Sequence, residues 1–132
     1  MKITDLKPTI VWKFFHQVTQ VPRPSKKEGK MIEFLESFAK EYKIAIKKDE
    51  AGNLLMSKPA TPGMEDRPVV VLQSHMDMVC EKNNGTKHDF DNDPIETIVD
   101  GEWLRANGTT LGADNGIGVA AELALLASDD SS

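Results

Sequence analysis

Four consecutive apolar residues, Val69-Val-Val-Leu72, run straight into Gln73-Ser-His-Met-Asp77. A continuous apolar run without alternation is the pattern of a strand covered on both faces, the kind found in α/β sheets. It therefore asks for helices on two sides of a sheet, and it ends by delivering a histidine and an aspartate two residues apart. In an extended chain, residues i and i+2 point to the same side. His75 and Asp77 are thus expected to share one face beyond the carboxyl end of a strand, where open α/β sheets bind their ligands.

The rest of the chain supplies the helices. Residues 8 to 20 read as a first helix, with Pro8 at its start and Val11, Phe14, Phe15 and Val18 on one face. The segment VPRPS breaks it. Ser25-Lys-Lys-Glu28 then matches a capping box, and a second helix follows to about Tyr42, striped by Met31, Phe34, Leu35, Phe38 and Tyr42. Lys26, Lys27 and Lys30 form its solvated face. Two hairpins are expected, one from Ile44–Ile46 and Asn53–Met56 about the turn Asp49–Gly52. The other turns at Asp100-Gly101, with Trp103 and Leu104 on the return strand. Residues 58 to 68 are an exposed loop, and 81 to 97 a long polar connection of the kind that often carries function. Leu111–Asn115 leads into a last helix ending near Ala127.

Composition narrows the function. With 39% hydrophobic and 28% charged residues the chain reads as soluble and globular. A net charge of −5 argues against a nucleic-acid partner, which wants a basic face. No run reaches the length of a membrane span and the start has no apolar signal core, so no membrane partner is expected. One cysteine, Cys80, fits a reducing cytoplasm. The sequons at Asn84 and Asn107 read as turns.

A carboxylate beside an imidazole can hold one ring nitrogen and leave the other free for a metal. Equally, His75 and Asp77 could be a hydrogen-bonded strand end. Asp114, set among glycines in TTLGADNGIG at the start of the last helix, has room around its carboxylate and a favourable helix dipole. It could also merely cap that helix. A phosphate loop is the weaker reading, because GADNGIG lacks both the dinucleotide and the P-loop spacing. Asp89, Asp91 and Asp93 begin like a calcium loop, but Pro94 and Asp100 stand where it needs glycine and glutamate. His16 and His88 read as surface histidines, and Cys80 as a small buried residue.

Taken together, VVLQSHMDMV, HDFDNDPI and DGEWLRANGTTLGADNGIG resemble the aminoacyl-histidine (Xaa-His) dipeptidases. These belong to the zinc aminopeptidase, aminoacylase and glutamate carboxypeptidase superfamily. The resemblance extends over essentially the whole chain, including VPRPSKKE, AGNLLMSKPAT and GIGVAAELALLASDD. It implies an α/β fold, the N-terminal part of a zinc-peptidase-like layered sheet flanked by helices and incomplete in this chain. Residues 1–132 would be the N-terminal portion of the catalytic domain, without its remainder or the lid domain.

The resemblance also implies roles. His75 would ligate zinc, Asp77 would brace its imidazole, and Asp114 would bridge two zinc ions. Cobalt or manganese would suit the same donors. The substrates implied are short peptides, dipeptides ending in histidine above all. The family's adjacent glutamates, one the general base and one a ligand, have no counterpart, since no Glu-Glu pair occurs in the sequence. A further aspartate and a distant histidine are missing as well. The chain alone is therefore expected to be inactive and to bind zinc weakly. Alternatives are a related aminoacylase, deacetylase or tripeptidase, or a non-catalytic interaction module, and self-association through an open sheet edge is expected.

Overall fold

In the computed structural model, which describes residues 1–129, the apolar stripes form the helices expected of them. Helix α1 spans Thr9–Thr19 and buries Phe14, Phe15 and Val18. Helix α2 spans Gly29–Glu41 and buries Met31, Leu35, Phe38 and Ala39. Both faces meet Val119, Ala120, Leu123 and Ala124 of helix α3, Ala113–Ala127, in one core. The ring of Phe14 stands edge-on to that of Phe38, 5.5 Å between centroids, an arrangement favoured by the aromatic quadrupole.

Two antiparallel hairpins flank the helices. Strands β1 (Ala45–Lys48) and β2 (Leu54–Ser57) pair from Ala45↔Ser57 to Lys48↔Leu54. Their turn is organised by Asp49, whose carboxylate accepts from the amides of Ala51 and Asn53 and from the Asn53 side chain. Strands β3 (Thr97–Asp100) and β4 (Trp103–Ala106) pair about a two-residue turn, with Gly101 at φ +61°. The fold is α/β, as expected, with small sheets beside helices.

Two local expectations are overturned. Val69–Leu72 is not a buried strand. Its side chains are 90, 78, 79 and 54% exposed, and its backbone makes no hydrogen bond among the described residues. Each hairpin pairs only within itself, and among the described residues no strand pairs with this run. Ser25 is likewise no helix cap. Helix α2 begins four residues later, with Glu28 in the cap position. The Glu28 carboxylate accepts from the Lys26 amide, and the Ser25 hydroxyl is spent elsewhere. Lys26, Lys27 and Lys30 are exposed as expected, and Lys27 and Lys30 also reach the Asp91 loop.

The segment that follows the apolar run is well anchored. Met78 is buried and exchanges backbone hydrogen bonds with Arg23 and Ser25. On its other side, Thr110 donates its amide to the Glu81 carbonyl and its hydroxyl to that of Val79. Residues 78–83 therefore lie between the VPRPS segment and the approach to α3. That placement brings the two suspected ligand segments together.

Candidate functional site

The three residues singled out from the sequence converge. His75 Nδ1 lies 3.1 Å from Asp77 Oδ1, and His75 Nε2 lies 3.0 Å from Asp114 Oδ1. The imidazole is held between two carboxylates, one on each ring nitrogen. Both carboxylates push its pKa above the ordinary histidine value, Asp114 first and then Asp77, with partial burial opposing them. Asp77 in turn is held below the usual carboxylate value, first by the hydroxyl of Ser25 and then by His75. The Asp114 side chain is 97% exposed.

The start of α3 explains why Asp114 is available. Asp114 and Asn115 have non-helical backbone angles, and regular helix follows them. Asn115 Oδ1 accepts from the Gly118 amide at 3.1 Å, which is the bond a helix cap makes. Asn115 caps the helix, so the Asp114 carboxylate is left to face His75. The alternative in which Asp114 is only a cap is thereby removed. The peptide bond between the two residues is cis.

These residues fit a divalent ion. Two ligand atoms on a tetrahedral zinc, each at about 2.0–2.2 Å, stand roughly 3.3–3.6 Å apart. The separation of Nε2 and Oδ1 is 3.0 Å. An imidazole whose Nδ1–H is given to a carboxylate presents the lone pair of Nε2, the usual second partner of a metal-bound histidine. Among the described residues no group of three histidine, cysteine or acidic side chains could hold an ion. His75 and Asp114 thus face each other, with Asp77 on the other ring nitrogen.

The other acidic and nucleophilic groups stay outside the site. Asp89 and Asp93 spend their carboxylates on amides of their own loop, and Asp91 pairs with Lys27 at 2.9 Å. Burial pushes the Cys80 thiol up, away from thiolate reactivity. His88 stacks edge-on against Phe90 and, like His16, is partly buried rather than on the open surface. Glu122 accepts from the Ser74 hydroxyl at 2.7 Å.

Sequence reasoning missed three contributors: Ser25, Arg23 and Asn115. Ser25 Oγ donates to Asp77 Oδ2 at 2.5 Å. Arg23 is 1% exposed and spans the two ligand segments. An asparagine immediately before a helical run is a cap signal that could have been read. The partners of Ser25 and Arg23 lie more than fifty residues away, and no local pattern announces them.

The fold is α/β, and its site sets a histidine braced by one carboxylate against a second carboxylate. The comparisons with known proteins point to peptidases. The chain is 49% identical over 129 residues to the cytosol non-specific dipeptidase of Escherichia coli strain K12, covering 98% of this chain and 27% of that protein. Its structure matches the aminoacylhistidine dipeptidase of Vibrio alginolyticus with a TM-score of 0.95 and 48% identity. That match covers 98% of this chain and 26% of the other.

A tripeptidase of Staphylococcus aureus subsp. aureus mu50, 24% identical with a TM-score of 0.71, shares the fold over 89% of this chain and 31% of its own. No family model matches the sequence. The resemblance to aminoacyl-histidine dipeptidases read from the residues is borne out, and the chain spans about a quarter of the length of those relatives. No helix among the described residues is long and apolar enough to cross a membrane.

Proposed function

We propose that this chain is the N-terminal portion of the catalytic domain of a cytoplasmic, metal-dependent dipeptidase, and that it carries half of a dinuclear zinc centre. The observation that bears most weight is the placement of one carboxylate on each ring nitrogen of His75. In this reading His75 Nε2 and the Asp114 carboxylate would be the ligands that this chain supplies to the metal centre. Asp77 fixes the ring and keeps the proton on Nδ1. Such a pair of ions, when bound, polarises the scissile carbonyl and lowers the pKa of a shared water.

What the chain's own residues do is orient. Ser25 donates to Asp77, Asp77 accepts from His75, and Nε2 is thereby aimed at Asp114. The exposed Val69–Leu72 run also supports a larger parent domain, since such a run is at home between neighbouring strands. The substrates in this reading are dipeptides, including those with a C-terminal histidine. Cobalt or manganese could replace zinc at these donors.

Cobalt titration of the purified chain, followed by visible absorption, tests the half-site. Weak binding that disappears in both His75→Ala and Asp114→Ala is expected, with no hydrolysis of β-alanyl-histidine. Binding that survives both substitutions would remove the site. Zinc-dependent turnover by the 132-residue chain itself would refute the absence of its general base. Cleavage of N-acetyl amino acids in preference to dipeptides by the complete protein would move the assignment to an aminoacylase.

A further inference from the structure

We infer that Arg23 is a positioning residue of this site, a buried fork that sets the distance between the His75 and Asp114 segments. The inference rests on the metal-site reading above. Arg23 Nη1 donates to the carbonyls of Met76, at 3.1 Å, and Asp77, at 3.3 Å, and Nη2 donates to the carbonyl of Gly112 at 2.7 Å. One guanidinium thus grips the backbone between His75 and Asp77 and the backbone two residues before Asp114. The His75–Asp114 contact and the Ser74–Glu122 hydrogen bond also join these segments, but through side chains alone.

The surroundings are shaped for the guanidinium. Gly112 sits at φ +72°, and a Cβ there would overlap Nη2. A Cβ on Gly116 would stand 2.7 Å from Nη2 and 3.1 Å from Phe15 Cε2. Two glycines of the GADNGIG loop therefore make room for one planar group. The main chain of the same segment works in parallel. Met78 donates its amide to the Arg23 carbonyl, Ser25 donates its amide to the Met78 carbonyl, and the Ser25 hydroxyl holds Asp77 Oδ2. The Pro-Arg-Pro-Ser stretch is the brace of the site as well as the break after α1.

Burying a cation among carbonyls is expensive, and an apolar side chain would hold two segments together at less cost. What arginine adds is a rigid set of donors in one plane, which fixes where the carbonyls stand relative to each other. Lysine keeps the charge but offers a single nitrogen on a flexible stem. It cannot reach Met76 and Gly112 with the same geometry.

The test compares Arg23→Lys, Ser25→Ala, Ser25→Thr and His75→Ala in the complete protein. Zinc affinity, the visible spectrum of the cobalt-loaded protein, kcat and KM for a dipeptide, and the melting temperature of the metal-free form are measured. Loss of an outer-shell partner weakens metal binding by about 10–100-fold. Arg23→Lys is expected to weaken zinc by that factor, to change the cobalt spectrum per bound ion, and to lower kcat more than it raises KM. Ser25→Ala should follow in the same direction and Ser25→Thr should restore wild-type values.

A wild-type zinc affinity and cobalt spectrum in Arg23→Lys, with only a lower melting temperature, would overturn the inference. Should Arg23→Lys not fold, a wild-type affinity and spectrum in Ser25→Ala would overturn the brace by itself. His75→Ala separates the two failures. If it retains zinc, the site reading falls. If it loses zinc while Arg23→Lys and Ser25→Ala keep it, only the positioning role falls.

Discussion

Glycine 116 and glycine 29 are both helical glycines, and their surroundings make opposite demands. Nothing lies within 4 Å of a Cβ built on Gly29, which opens α2. Gly29→Ala should therefore stabilise the chain by about 0.5 kcal/mol, through a less flexible unfolded state and better helix propensity. At Gly116 the new methyl meets the Arg23 guanidinium and the Phe15 ring, both almost fully buried. Neither can swing into solvent. The overpacking costs about 1–3 kcal/mol, more than the gain of roughly 1 kcal/mol from helix propensity. Urea midpoints of the two variants should move in opposite directions. Equal midpoints would mean that the slot around Arg23 is not packed as described.

Among the elements, the β1–β2 hairpin carries its own pH dependence. Asp49 is held below its ordinary pKa, first by the Asn53 side chain and then by the Asn53 amide. A carboxyl depressed in the folded state contributes stability above its unfolded pKa, and that contribution is lost as pH falls through the folded value. The turn should accordingly loosen only below the usual carboxylate range. The Asn53 amide resonance and its hydrogen-exchange rate would report it, and Asp49→Asn should flatten the response. Because Asp49 is exposed, global stability should barely follow.

Elements of this kind were the legible part of the sequence. The Asp49-Glu-Ala-Gly52 turn, the Asp100-Gly101 turn and the 3.6-residue stripes of α1 and α2 are local signals, and they folded as read. The Ser25–Glu28 pattern was local too, and it misled, because a distant carboxylate on Asp77 competes for the same hydroxyl. The meeting of His75, Asp77 and Asp114 was suggested by residue type and by family likeness. Its geometry depends on Arg23 and Ser25, whose bonds close loops of 52 to 89 residues. No periodicity encodes such closures.

The whole molecule presents one conspicuous surface, the four apolar side chains of Val69–Leu72 on backbone that pairs with nothing among the described residues. An uncharged, β-prone stretch in this state is a template for another strand. The 132-residue chain should therefore associate with itself, and sedimentation should show a mean mass rising with concentration. Val70→Lys, which places a charge in the run, should bring it back towards monomer. A single sedimenting species at high concentration in the unsubstituted chain would count against this. The net charge of −5 opposes association at low ionic strength, so added salt should strengthen it.

The cap at the start of α3 also bears on how the molecule ages. Asn84-Gly85, Asn107-Gly108 and Asn115-Gly116 are asparagine–glycine pairs, the sequence most prone to lose its side-chain amide by attack of the following backbone nitrogen. At Gly116 that nitrogen donates to the Gly112 carbonyl at 3.0 Å, and the Asn115 side chain is engaged by Gly118. Both reactants are tied down in the folded chain. Asn84 sits in an exposed turn with Gly85 at φ +85°, and among the described residues its side chain has no such hydrogen bond. Chemical wear thus falls on the Asn84 turn before it reaches Asn115, and the residue beside Asp114 is spared for as long as the helix holds.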